Sequence, residues 1–420
     1  MNLMDQNQTI QGTEFGSLRI SVVTNSGFTP ISNAKVQIAS SGEPDLVIEE
    51  LITDISGNTI STNLQAPPLE YSMTPSENQP YSEYNIKVFA NEYDDEIVTN
   101  IQIFSGQQAV QQVRLSPSLP SPVYSPTVIP GHTLWEFYPP KIAESEIKDT
   151  NSSGEIVLSR VVVPETIVVH DGVPSDNTAK DYYVPYLDYI KNVASCEIYT
   201  TWPEETIKAN ILAIMSFTLN RVYTEWYRNK GYDFTITSST AFDHKWTYNK
   251  TIYDKISQIA DNLYGSFISR PNVKQPILTQ YCDGKRVSCP NWMTQWGSKT
   301  LGDDGLSAIQ ILRYYYGNEI YINTAEIISG IPASYPGYNL NIGSTGEPVI
   351  TIQEQLNRIA KNYPALPTIN VDGIYGSNTQ EAVKSFQEIF NLSPSGIVDY
   401  PTWYKISQIY VGVTKIGENI

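Results

Sequence analysis

Residues 116–131, SPSLPSPVYSPTVIPG, hold five prolines in sixteen positions. Each proline fixes φ near about −65° and removes a backbone donor, so the stretch can be neither a helix interior nor a central strand. It reads as an extended linker. The polar run AESEIKDTNSSGE carries that character on, and the linker is placed at 116–163. Polar, exposed linkers are also where proteases cut. A chain interrupted in this way is expected to fold as separate units, and its 420 residues allow roughly two to four of them.

Before the linker, apolar and polar residues alternate. SLRISVV sets Leu18, Ile20 and Val22 against Arg19 and Ser21, and NAKVQIAS repeats the pattern with Val36 and Ile38. YNIKVFA, NIQIFSG and QAVQQVRL do the same, separated by turn signals such as Ser56-Gly57-Asn58. Residues 17–115 therefore read as a small antiparallel all-β sandwich, preceded by a flexible N-terminus, 1–16.

After the linker, residues 164–333 read as α+β. Ile207, Ile211, Ile214, Thr218, Val222 and Trp226 recur at helical spacing, and Gly231 supplies a stop. Thr201-Trp202-Pro203-Glu204 has the form of a capping box ahead of that helix. Glu204 and Glu205 suit its first turn, where the macrodipole favours anions. Residues 340–413 read as three short helices around one core, marked by Ile352, Leu356 and Ile359, then Ala382, Val383, Phe386 and Phe390, then IVDYPTWYKISQI.

Composition excludes several functions. A net charge of −17 leaves no basic footprint for nucleic acid and none for an anionic membrane surface. The 29 tyrosines and 7 tryptophans suit a neutral polymer such as a glycan, which lies against flat amphipathic rings. Cys282 and Cys289 could close a small loop or stay as thiols, and Cys196 is left over. His132, His170 and His244 are scattered, so no metal and no cofactor is expected. His170-Asp171 has no third partner at a suitable spacing and reads as structural. The first fifteen residues have neither a basic nor an apolar signal region, so no secretory signal is expected there.

Two stretches carry resemblances. DGIYGSNTQEAVKSFQ (372–387), with VITIQEQLNRI before it and GIVDYPTW after it, resembles the helical peptidoglycan-binding domain of cell-wall hydrolases. VPYLDYIKNVASCEIYTTWPEETIKAN, LTQYCDGKRV and NWMTQWGSKTLGDDGLSAIQILRYYYG resemble the three blocks of the SpoIID/LytB lytic transglycosylases. That resemblance implies a catalytic acid at Glu197 and a helix-borne lysine at Lys208. Its third block falls on Met293, Thr294, Gln295 and Gly297. Trp292, Thr294, Met215-Ser216 and Asp283-Gly284 depart from the pattern. Tyr199, Trp202, Tyr281, Thr294, Gln295, Trp296 and Lys208 are the candidate substrate contacts.

A single carboxylate suits that chemistry. Ordinary glycosidases need two carboxyl groups. A lytic transglycosylase lets the muramyl C6 hydroxyl attack, so one carboxyl serves first as acid and then as base. The weakly polar neighbours Ala194, Cys196 and Ile198 are expected to favour its protonated form. The order of modules resembles the clostridial spore cortex-lytic enzymes. That implies cortex glycan strands as partner, a location in the cortex or coat region of the spore, and a proenzyme. A subtilisin-like Csp protease would cut it within 140–163. An N-acetylmuramoyl-alanine amidase and a non-catalytic wall-binding protein are the alternatives.

Overall fold

A computed structural model describes residues 14–118, 126–148, 158–330 and 332–417, with side chains to 414. Most of the expected flexible N-terminus and the middle of the expected cleavage stretch lie outside the described residues.

β1 (Glu14–Thr24), β2 (Lys35–Ser40), β3 (Val47–Ile52), β4 (Thr62–Ala66), β5 (Ser82–Phe89), β6 (Glu96–Ile103) and β7 (Gln108–Leu115) form two sheets, with a short α1 (Glu70–Met73) between β4 and β5. One sheet runs β7-β1-β4 and the other β3-β2-β5-β6. The alternation read from the sequence decides which face is buried. Leu18, Ile20, Val22, Val36, Ile38, Ile86 and Val88 are fully buried in one core. Burying each such side chain contributes roughly 1.5–3 kcal/mol. The sheets are not antiparallel throughout. β1 and β7 pair in parallel, Ser17 opposite Gln108 through Thr24 opposite Leu115. Parallel pairing needs a long crossover, and here the intervening chain supplies the whole second sheet.

Over residues 126–148 the linker is not a solvated spacer. Thr127–Val128 (β8) adds to β6 in parallel. The chain from 126 to 148 then lies over the central region, and we call it the strap. From the other side, Ile252–Tyr253 of the central region adds to the edge of β7. Phe104 packs at 5.5 Å from Tyr199, tilted, and 5.3 Å from Tyr253, edge to face. The N-terminal unit and the central region therefore share one continuous apolar core instead of having separate ones.

The central region holds α2 (Tyr186–Glu197), α3 (Glu204–Tyr223), α4 (Asp254–Asn262), α5 (Gln295–Asp303) and α6 (Ala308–Tyr316), with short strands between them. α3 is buried on nearly every side, as befits a central helix. It starts after Pro203 with no side-chain cap, so the expected capping box is not made. It ends at Tyr223, and Gly231, at φ +82°, closes a separate short turn, Arg228–Lys230. Glu205 caps a different helix, accepting the Ala308 N–H of α6 at 2.7 Å. Gly302 lets α5 press against α3. A Cβ there would sit 1.9 Å from the Thr206 hydroxyl.

In the tail, α7 (Glu347–Ala360), α8 (Ser377–Ile389) and α9 (Tyr400–Gly417) surround a second core that includes Ile352, Leu356, Val383, Phe386 and Trp403. Gly373, at φ +70°, takes the left-handed turn before α8. The buried Gln353 amide holds that turn. It donates to Asp372 Oδ1, Ile374 O and Thr379 Oγ1 and accepts the Asp372 and Gly373 N–H groups at 3.1 and 2.9 Å. Gln353→Ala is expected to cost about 1–3 kcal/mol, because it leaves buried groups unpaired. Faster hydrogen exchange at the Gly373 amide, with the α3 amides unchanged, is the expected signature.

A covered carboxylate and its surroundings

Glu197 is the last residue of α2 and is 8% exposed. The sequence reading placed it ahead of a helix. It does precede α3, and it also ends α2, a helix the sequence reading did not identify although Asp188, Lys191, Asn192 and Ser195 recur at helical spacing. A helix C-terminus offers an anion no macrodipole support, so donors from elsewhere hold it. Its Oε1 accepts the Lys245 N–H at 2.7 Å. Its Oε2 accepts Gln295 Nε2 at 2.8 Å, and that same amide donates to the Glu197 carbonyl at 2.6 Å. Gln295, expected as a sugar contact, therefore positions the carboxylate.

Glu197 opens on a cavity of about 40 Å³, lined also by Tyr281, Asp283, Gln295, Lys245 and the strap residues His132, Tyr138 and Lys141. The Tyr281 hydroxyl is buried without a hydrogen-bond partner of its own. Burial first, and then the facing Glu197 charge, push its ionisation well above the ordinary tyrosine range. It stays a neutral donor. His244 stacks on that ring at 5.7 Å, and its Nδ1 meets the Tyr189 hydroxyl at 3.1 Å. Burial holds His244 well below the usual histidine range, so it is uncharged. The Lys141 ammonium lies over the Tyr281 ring at 4.8 Å and donates to the Asp243 carbonyl. Burial lowers its pKa and the Glu197 carboxylate opposes that fall.

Cys282 and Cys289 form a disulfide that closes the loop beside this cavity. Within it Asp283 Oδ1 accepts three backbone N–H groups, from Lys285 at 2.7 Å, Arg286 at 3.1 Å and Val287 at 2.9 Å. Asp283 Oδ2 is buried with no partner. Gly284, at φ +77°, passes so close that a Cβ would lie 2.4 Å from Thr294 Cβ. The Asp283-Gly284 departure thus builds a tight turn and brings a second carboxylate to the cavity. Sequence reasoning noted it only as a departure. Cys196 is a buried free thiol whose pKa burial raises, which makes it unreactive. His170 pairs with Asp181 at 2.7 Å, not with Asp171, and stacks on Phe234 at 4.4 Å, away from this site.

The remaining candidates divide. Lys208 does not reach the cavity. It pairs on the surface of α3 with Glu204 at 2.7 Å and Glu205 at 2.8 Å. Trp202 is fully buried, and its Nε1–H donates to the Ser72 carbonyl of the N-terminal unit at 2.9 Å. Tyr199 accepts the Leu134 N–H at 2.7 Å, and Trp296 donates to the Leu134 carbonyl at 3.1 Å. These three rings lie within 5.0–6.0 Å of one another. They form one aromatic cluster, roofed by the strap and the N-terminal unit. Thr294 does not line the cavity, and its hydroxyl lies 3.2 Å from that of Tyr315.

The strap is fastened along its length. Arg286 stacks over Trp135 at 4.2 Å and Phe137 at 4.7 Å. Further on, Ile142 N–H donates to Ala241 O at 2.7 Å and Leu278 N–H to Glu146 O at 2.9 Å. Arg221 grips Glu144 with both terminal nitrogens, at 2.9 and 2.7 Å, while its Nε holds Asp243 at 2.8 Å. Arg270 also grips Glu146 with two nitrogens, here Nε and Nη2. The signal for this was legible: a solvated linker has no use for the apolar anchors in HTLWEFYPP.

His132 makes strap docking sensitive to pH. Burial lowers its pKa to about 3, against about 6.5 in water. The freed strap therefore binds a proton that the docked strap refuses, and docking weakens as pH falls below 6.5. Each unit of that fall costs up to about 1.4 kcal/mol. From pH 6.5 to 5.5 the Leu134 amide is expected to lose about five-fold of its exchange protection, and His132→Phe should remove the effect.

Residues 345–406, within the tail, match the family described as a putative peptidoglycan binding domain. No curated protein matches the chain. Among solved structures, the Bacillus anthracis TIE protein is 15% identical at a TM-score of 0.18, covering 25% of this chain and 17% of that one. GBS52, the minor pilin of Streptococcus agalactiae, is 13% identical at 0.18, covering 27% and 48%. Catechol 1,2-dioxygenase from Acinetobacter sp. ADP1 is 14% identical at 0.19, covering 30% and 61%. This chain spans less than two thirds of each, and at such TM-scores the likeness carries no argument. The match at 345–406 supports peptidoglycan as a partner of this chain and points to association with the cell wall.

Proposed function

We propose that the chain is the proenzyme of a peptidoglycan lytic transglycosylase of the SpoIID/LytB kind, resembling SleC, the clostridial spore cortex-lytic enzyme. One observation carries the reading: Glu197 is buried, is held by Gln295 and the Lys245 N–H, and is covered by the strap. In the reaction Glu197 protonates the glycosidic oxygen as the bond to C1 breaks. The muramyl C6 hydroxyl then closes on C1 and gives up its proton to the same carboxylate, leaving a 1,6-anhydro end. The tail holds the enzyme on its polymer. Departure of the strap and the N-terminal unit after a cut by a subtilisin-like Csp protease exposes the aromatic cluster of Tyr199, Trp202 and Trp296 to the glycan. Spore cortex during germination is the setting that the order of modules implies.

Asp283 supports a second reading. Its unpartnered Oδ2 lines the same cavity, and two carboxylates suit an ordinary hydrolase. Analysis of the products separates the two. The processed protein is expected to release muropeptides with 1,6-anhydro ends. Asp283→Asn, which keeps Oδ1 for the loop, should retain most of that activity. Reducing ends, together with loss of activity in Asp283→Asn, would establish the hydrolase. Free peptide stems would establish the amidase.

A further inference from the structure

The far end of the strap is held in an unusual way. Two glutamine side chains read its backbone as a neighbouring strand would. Gln280 accepts the Glu144 N–H at 2.9 Å and donates to Ile142 O at 2.7 Å. Gln275 accepts the Lys148 N–H at 2.7 Å and donates to Lys148 O at 3.3 Å. Between them, Glu144 and Glu146 each enter an arginine fork, and Lys148 of the strap also donates to the Glu144 carboxylate. Amide readers plus guanidinium forks recognise an extended peptide that carries carboxylates.

Arg221 shows that the site is built rather than incidental. It is fully buried, yet among the described residues the central region supplies it with one carboxylate only, Asp243, on Nε. Asp243 is itself occupied by Tyr227 at 2.6 Å and by Thr237 at 2.7 Å. The two terminal nitrogens of Arg221 are satisfied by Glu144 and, at 3.1 Å, by the Phe242 carbonyl. Once the strap departs, a buried guanidinium faces the groove without its second carboxylate, which is costly unless another anion replaces it.

We propose that the groove formed by Gln275, Gln280, Arg221 and Arg270 is a binding site for the carboxylate-bearing peptide stem of the glycan, which the strap occupies as a mimic. This rests on the reading that the strap leaves the cleft. The stem seats beyond Lys141 while the sugar reaches Glu197. The site selects strands whose muramyl units still carry peptide.

The test uses the full chain nicked between 149 and 157, with muramyl tripeptide as the probe and the same compound with its carboxyls amidated as the control. Exchange at the strap amides of Ile142, Glu144 and Lys148 is read. Muramyl tripeptide is expected to speed exchange at least ten-fold, and the amidated compound to leave it unchanged. Glu146→Gln, which weakens only the strap, should lower the concentration of tripeptide needed. Arg270→Gln, at a partly exposed site, should abolish the difference between the two compounds. Equal effects of the two compounds, or no displacement by the tripeptide even in Glu146→Gln, would overturn the proposal. Displacement needs no bond cleavage, so the stem site and the transglycosylase reading can fail independently.

Discussion

Glu197→Gln in the processed protein is expected to lower muropeptide release by about 10²–10⁴-fold, the range for loss of a general acid. The fold should survive. Glu197 receives one donor on each oxygen, from Lys245 and Gln295. Glutamine keeps one acceptor and turns the other into a donor, so one contact is lost at about 1 kcal/mol. Gln295 still holds the residue through the Glu197 carbonyl. Release of anhydro-ended muropeptides and thermal unfolding, measured on the same preparation, check both statements. Release at the parent rate would remove Glu197 from the reaction.

Release of the strap should have an effect of similar size. A cavity of about 40 Å³ beside Glu197 cannot admit a sugar. Even small-ligand sites offer roughly 300–1,000 Å³. The uncut chain is therefore expected to be at least about 100-fold less active than the chain cut within 149–157 and freed of residues 1–148. Cutting alone should not suffice. Tyr199, Trp296, Arg221 and Arg270 hold the strap without a covalent bond, and the shared core holds the unit behind it. Activity should therefore lag behind cleavage and follow dissociation of the N-terminal fragment. Time courses of fragment size, fragment retention and muropeptide release decide it. Full activity while the fragment remains bound would refute the plug.

How much of this was legible follows from what each signal measures. Alternation at Leu18, Ile20 and Val22 reports one buried face, and it located β1. α2 went unread although Asp188, Lys191, Asn192 and Ser195 recur at helical spacing, and of these Lys191, Asn192 and Ser195 are buried. Glu197 was found by resemblance, not by pattern. Lys208 was assigned by the same route, but its neighbours Glu204 and Glu205 hold it at the surface. Trp202 has the composition of a sugar platform, and only the three-dimensional structure shows Ser72 covering it. Arg221 and Glu144 are 77 residues apart. Nothing local in either position announces the pair, and that pair makes the linker a strap.

The two-residue pairing of Ile252–Tyr253 with β7 has a consequence for reversibility. While it stands, it caps one edge of the N-terminal sheet. A fragment that leaves carries that edge bare, along with the apolar surface around Phe104 that had packed on Tyr199 and Tyr253. Bare sheet edges and exposed apolar faces invite pairing with other chains. On the proposed reading, a released fragment is expected to self-associate through that edge, which would oppose its return to the seat and make activation hard to reverse.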